Sequence, residues 1–398
     1  MSADILDVVP DLPALRAAYS RFLTGDRVLL TGHSHQAWPD VARDALLRSF
    51  DDAARLVDDK WEQAVFPLLD AVGAEILARM GFDAADPIAF GKSSHELVFR
   101  LLSCFPAAAR PRIVTTTGEF HSLHRQLARL AEEGAEVIWV PAEPREGLAD
   151  RLLAAITPGT AMVAFSAVFF EDAHVLPRLG EITARAAAVG ALPLVDAYHA
   201  FNVVPLAWGP AKDQLFVTAG GYKYAGFGDG LCWLRFPRDT ALRPVDTGWF
   251  ADFAALGAPR SYEVAYGPGG ARFSGGTFDA SALYRASAVL AHWERFGLTV
   301  DRLRAISLRQ TRRILALLDA HGLADSVVSS RDDERRGGFV TVRHANAVAV
   351  VTRLRERSVF TDARRDLLRL GPAPYLTDAE IDRGTLAAIE ALRAPSPT

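Results

Sequence analysis

One lysine, Lys223, stands between two tyrosines and among glycines in the stretch TAGGYKYAGFGDG (218–230). Of the 44 basic residues only Lys60, Lys92, Lys212 and Lys223 are lysines, and all the others are arginines. Arginine does most surface work equally well but keeps its proton near neutral pH, so it cannot act as an amine nucleophile. A lysine kept here, among aromatic and apolar neighbours that would desolvate it, is suited to lose its proton and add to a carbonyl carbon. Asp196 and His199 in DAYHAFN (196–202), the serine-rich GKSSHE (91–96) and TGEFHS (117–122) are the other chemically equipped stretches.

The elements around these stretches explain how they could meet. Short apolar, β-branched runs, PIAF (87–90), RIVTT (112–116), EVIWV (136–140), AMVAFS (161–166), LPLVD (192–196) and QLFVT (214–218), read as buried strands. Amphipathic stretches such as SHELVFRLLSCF (94–105), SLHRQLARLAEEG (122–134) and LGEITARAAAVG (179–190) read as helices, the last two closing on glycine. Strands alternating with helices predict an α/β fold with a parallel sheet covered on both faces. In such a sheet ligands bind beyond the carboxyl ends of the strands, and the four equipped stretches all follow predicted strands. After about residue 283 the rhythm changes to two long helices, strands near FVTVR (339–343) and LLRLG (367–371), and a final helix from Asp378, which predicts a smaller second domain.

A lysine, an aspartate, a histidine and a serine-rich helix start on one rim are what pyridoxal 5'-phosphate requires. Lys223 would bond the cofactor's aldehyde, Asp196 would pair with its ring nitrogen, and Ser93 and Ser94 at a helix N-terminus would hold its phosphate. His199 is a further candidate for the cofactor, and Lys92 for the phosphate.

With DAYH (196–199) followed by GYKY (221–224), the chain resembles the fold type I pyridoxal-phosphate enzymes of the class V aminotransferase group, and within it the kynureninases, which carry D-x-x-H and S-Y-K-Y. TGWF (247–250), RFSGGT (272–277), EFHS (119–122) and LRLGPAPY (368–375) are similar to further motifs of that family, so the likeness runs from about residue 28 to 376. The resemblance implies Trp249 and Thr277 at the phosphate, Thr277 from a neighbouring subunit, Phe120 stacked on the pyridine ring, Tyr222 at the phosphate and near a proton-transfer step, and Arg369 as the clamp on the substrate's α-carboxylate. It also implies a homodimer, and hydrolysis of the Cβ–Cγ bond of kynurenine or 3-hydroxykynurenine to an anthranilate and alanine. A class V aminotransferase and a C–S lyase are the alternatives. The domain division expected is an N-terminal segment, 1–44, packed with the small domain, a large cofactor-binding domain, 45–283, and the small domain, 284–398. Two motifs depart from the family: Leu123 replaces an aspartate, and an early GNSLG-like segment reads GHSHQAW (32–38). His33 and His35 thereby become candidates to hydrogen-bond a polar aromatic ring or a carboxylate. Their H-x-H spacing would suit a metal, but no third ligand is evident nearby and none is expected.

Composition narrows the class further. At 398 residues and 50% hydrophobic the chain can bury a large core, and a formal net charge of -4 gives no electrostatic reason to seek nucleic acid or anionic membrane. The arginines of RDDERRGG (331–338) are interleaved with acids and read as a solvated loop. Cys104, in a predicted buried helix, and Cys232, in a predicted strand, form no CxxC pair or disulfide framework, which suits a reducing cytoplasm and argues against a nucleophilic loop cysteine. The acidic, proline-broken start MSADILDVVPDLP is unlike a targeting peptide, no run is long enough for a membrane helix, and the tail RAPSPT is expected to fray. A cytoplasmic enzyme acting on a small-molecule amino-acid substrate, with no nucleic-acid or membrane partner, is the resulting expectation.

Overall fold

The computed structural model describes residues 9, 11–259 and 262–394. The expected fraying of the tail concerns residues from 395 on, outside the described residues, as are residues 1–8 and 10. A short helix, Leu12–Ala17, opens the described chain, and β1 (Val28–Leu29) follows. Six further strands, β2 (Ile88–Gly91), β3 (Arg112–Thr116), β4 (Glu136–Val140), β5 (Thr160–Ser166), β6 (Leu192–Asp196) and β7 (Phe216–Gly220), then coincide within two residues with the apolar runs that predict them.

With β8 (Cys232–Arg235) these strands build a seven-stranded sheet in the order β2-β8-β7-β6-β5-β3-β4. β3 to β7 are mutually parallel, while β8 runs antiparallel to both β2 and β7, so β2 shares the common direction and only β8 opposes it. The carboxyl ends of β2, β3, β6 and β7 therefore open on one rim.

Alternation along the strands divides the core in two. Ile113, Leu194, Phe216 and Leu234 pack with Leu97 and Leu101 of the helix Ser94–Leu102 and with Leu123 and Leu127 of the helix His121–Glu132. On the other face Val114, Val163, Phe165, Val195 and Val217 pack with Leu148, Leu152 and Ile182. Each of these side chains is essentially removed from water, a contribution of about 1.5–3 kcal/mol apiece.

The C-terminal elements form a smaller layer. Helices Ser281–Arg295 and Val300–Ala320 lead to β9 (Val340–Arg343), the helix Ala347–Glu356, β10 (Val359–Phe360), β11 (Asp362–Arg364), β12 (Leu367–Leu370) and the helix Asp378–Arg393. Strands β11, β12 and β9 pair antiparallel in that order. Thr377 and Glu380 form a reciprocal capping box that starts the last helix where the sequence expects it. β1 pairs parallel with β10, and Arg16 ion-pairs Glu380, which ties residues near the start of the chain to this late layer.

Two expectations require correction. Cys104 lies past the end of the helix Ser94–Leu102 and is half-buried, because that helix closes at Leu102 before the turn leading to Pro106. The loop at 331–338 is solvated only in part: Arg336 is fully buried, donating to the carbonyls of Ser330 and Arg331 and to Asp333, which satisfies a guanidinium that water cannot reach.

Candidate active site

β7 enters the site through glycines for a steric reason. A Cβ on Gly220 would overlap the Tyr198 ring and the Cys232 sulfur, and one on Gly221 would press into Phe227. The segment between β7 and β8 is then pinned by backbone bonds from Gly221 to Leu231, from Phe227 to Gly221 and from Gly226 to Lys223. Gln36 and Asn202 both donate to the Tyr224 carbonyl at 3.1 Å, fixing the turn that carries Lys223.

Lys223 is 6% exposed, and its Nζ lies 4.3 Å from the centroid of the Tyr198 ring and 5.6 Å from those of Phe120 and Tyr222. Burial pulls its pKa down to about 7, against the opposing charge of Asp196. Asp196 closes β6, and its Oδ1 accepts the Tyr198 amide at 2.9 Å. Burial raises its pKa, while that amide and Lys223 draw it back. His199 is held neutral, its pKa lowered far below the usual value first by burial and then by the positive charges of Lys223 and Arg369.

These residues line one cavity of about 290 Å3 that also receives Lys92, Ser93, Ser94, Phe120, Ser166 and Tyr222. Ser93 caps the helix Ser94–Leu102 by accepting the Glu96 amide at 3.2 Å, and the first-turn amides of a helix have no acceptor within it. Phe120 sits at the start of the next helix, edge-on to Phe170 at 5.3 Å. His199 Nε2 is buried without a protein partner. A deprotonatable amine, a carboxylate, an unpartnered imidazole nitrogen and a helix N-terminus around one cavity fit pyridoxal phosphate.

The structure thus brings together Lys223, Asp196, His199, Tyr222, Phe120, Ser93 and Ser94. It does not bring the remaining candidates to the cavity wall. Arg369 is 2% exposed, and three of its five N–H donors are taken by Asp362 and by the Phe170 carbonyl at 2.7 Å. His33, fully buried, gives its Nε2 to Asp362 at 2.8 Å and stacks on Phe339. Burial lowers its pKa to about 4 although Asp362 opposes this. His35 points the other way, its side chain 70% exposed while its ring stacks on Tyr222 at 4.8 Å. Trp249, 42% exposed, belongs to an aromatic cluster with Phe250 and Phe253, and Thr277 is exposed.

Sequence reasoning missed three residues here. Tyr198, inside the D-x-x-H motif, forms the ring nearest the lysine nitrogen. Asp362 holds both His33 and Arg369; burial pushes its carboxyl up, but those two partners more than offset that and hold it far below the usual carboxylate range. Glu119 lies buried directly before Phe120. An acid immediately preceding a candidate ring-stacking residue was the available signal for Glu119, while Asp362 could be found only by knowing that β11 pairs with β12.

Comparisons with known proteins bear on the fold and the family. Solved structures of similar fold include the apo cysteine desulfurase from Thermococcus onnurineus NA1, with a TM-score of 0.77 at 18% identity over 96% of this chain and 98% of that one. The cystine C-S lyase C-DES, in complex with cysteine persulfide, gives a TM-score of 0.76 at 17% identity over 94% and 99%. The architecture is that of the fold type I pyridoxal-phosphate enzymes. The kynureninase of Salinispora tropica is 30% identical over 379 residues, 87% of this chain and 85% of that protein. The kynureninase of Geobacillus thermodenitrificans is 23% identical over 379 residues, 90% and 86%. A family profile described as the kynureninase C-terminal domain matches residues 303–387. The chain belongs to the kynureninase family, a family of pyridoxal-phosphate-dependent enzymes.

Proposed function

We propose that the protein is a pyridoxal-phosphate-dependent hydrolase that takes kynurenine or 3-hydroxykynurenine and one water to the corresponding anthranilate and alanine, breaking the Cβ–Cγ bond. The observation that carries this reading is Lys223, an amine with a pKa near 7 facing Asp196 across one cavity, in a chain of the kynureninase family.

When bound, the cofactor would supply an electron sink for a carbanion next to the amino group. Lys223 would hold it covalently and, once released, remove the Cα proton, for which an amine that is partly neutral at pH 7 is suited. Asp196 would hold the proton on the ring nitrogen. Phe120 would pack on the ring, His199 would offer its unpartnered Nε2, and Ser93, Ser94, Lys92 and Tyr222 would position the phosphate. Trp249 and Thr277, absent from this cavity and exposed, would join the phosphate site of a second copy in a homodimer. Arg369 is the candidate for the α-carboxylate, for which it would use the two N–H donors that Asp362 and the Phe170 carbonyl leave unengaged.

A persulfide course through either cysteine lacks support, because burial pushes the Cys104 thiol up to about 12 and the Cys232 thiol up to about 11. Aminotransfer uses the same lysine and aspartate and is separated by its products. The test is to incubate the cofactor-loaded protein with L-kynurenine and 3-hydroxy-L-kynurenine and quantify both products. Equal release of alanine and the anthranilate supports the hydrolase. Release of neither sinks it, and a keto acid with the cofactor left as its amine would assign an aminotransferase.

A further inference from the structure

A second carboxyl lies behind the cavity, outside the residues to which the proposed reaction assigns a task. Glu119 is 5% exposed, and its two oxygens accept separate hydroxyls, Thr116 Oγ1 at 2.6 Å and Ser166 Oγ at 2.6 Å. Thr116 ends β3 and Ser166 ends β5, so the carboxyl bridges two strand ends from the loop that leads to Phe120. Ser166 also lines the cavity and is the register partner of Asp196 across β5 and β6. Glu119, buried, and Asp196, half-buried, are thus two acids flanking one serine.

From this geometry, resting on the cofactor reading above, we infer that Glu119 is a positioning residue whose negative charge strengthens the hold of Asp196 on the proton of the cofactor's ring nitrogen. Two like charges in a poorly solvated site raise each other's proton affinity. A proton shared between Asp196 and the ring is therefore retained to higher pH when Glu119 is ionised. Burial lifts the Glu119 carboxyl to about 7, the Ser166 and Thr116 hydroxyls pull against this, and the Asp196 charge adds to it. The charged groups nearest this pair are Lys223 on the β7–β8 turn, which acts on Asp196, and Asp196 itself, which acts on Glu119. Thr116 and Ser166 present uncharged hydroxyls from β3 and β5.

The test is a pH titration of the visible absorbance of the cofactor-loaded protein, wild type against Glu119→Gln. The neutral amide keeps the shape and a hydrogen-bonding oxygen. The spectral transition of the variant is expected to move to lower pH by roughly one unit. Ser166→Ala, which removes one bond favouring the carboxylate, is expected to move it the same way by less. A second readout uses the cofactor-free protein labelled at the glutamate carboxyl carbons, where one carboxyl titrating near neutrality in NMR should vanish in Glu119→Gln. A purely structural role would lower thermal stability and leave the transition in place. Superposed titrations in both variants, with cofactor bound, would overturn the inference, and if Glu119→Gln does not fold, an unshifted Ser166→Ala does so alone. A wild-type protein that acquires no cofactor absorbance would instead remove the cofactor reading, and the inference with it.

Discussion

Lys223 is the residue whose chemistry is most nearly decided by its surroundings. Because burial lowers its pKa to about 7, the free amine is the minor form below that pH and the major form above it. The rate at which cofactor-free protein bonds pyridoxal phosphate should therefore rise with pH through about 7 and level off above it, as followed by absorbance. Lys223→Ala should lose the covalent adduct and at least roughly 10²-fold of turnover, the lower bound for a general base. The lysine was legible because the chain spends so few of them. Asp196 and His199 were legible because they follow a strand at a fixed spacing. His33 and Arg369 were harder, since their partner Asp362 reaches them by strand pairing. Sequence shows that a histidine is present but not that its Nε2 is committed to a carboxylate.

At the scale of the element, strand ends and turns carry the site. The apolar runs of β3, β4 and β6 match their sequence boundaries residue for residue, although β4, at the edge of the sheet, is not the buried strand its run suggests: of its residues Val140 alone is fully buried. The reversal of β8 left no mark: CWLR reads as a strand in either direction, and only its pairing with β2 and β7 reveals it. Gly220→Ala should dislodge Tyr198 or Cys232, which the added methyl would overlap, and weaken cofactor retention in equilibrium dialysis. In the small layer, Asp362→Ala leaves the Arg369 guanidinium buried with a single carbonyl partner. Breaking a buried ion pair from one side costs about 3–5 kcal/mol, and denaturant unfolding should show a loss of that order.

Considered whole, the molecule exposes several large apolar side chains. Phe50 is 73% exposed, Val57 67%, Leu47 52% and Trp249 42%. Under the dimer reading, sedimentation should give twice the chain mass. A mixture of Thr277→Val and Lys223→Ala chains should also regain turnover that neither has alone, since one site of each mixed pair would hold both intact residues. Recovery that never exceeds the sum of the separate preparations would place Thr277 outside the partner's site. Among the described residues no helix is long and apolar enough to cross a membrane. The changed rhythm after residue 283 is the signal from which a smaller second domain is expected. The sequence points to segment 1–44 packing with the small domain, but the β1–β10 pairing itself leaves almost no trace, since both strands are only two residues long.

That joining has a consequence for the protein's birth on the ribosome. β1 hydrogen-bonds to β10, and His33 meets Asp362, a partner 329 residues further along. At about 5–20 residues per second, the segment holding His33 emerges on the order of tens of seconds before the residues that seat it. Until then β1 lacks the strand it pairs with. Gln36 of the same segment fastens the turn that carries Lys223, so the nascent cavity stays loosely tethered over that interval. Ribosome-stalled chains ending before β10 should fail to acquire the cofactor's colour, and chains released at full length should acquire it promptly.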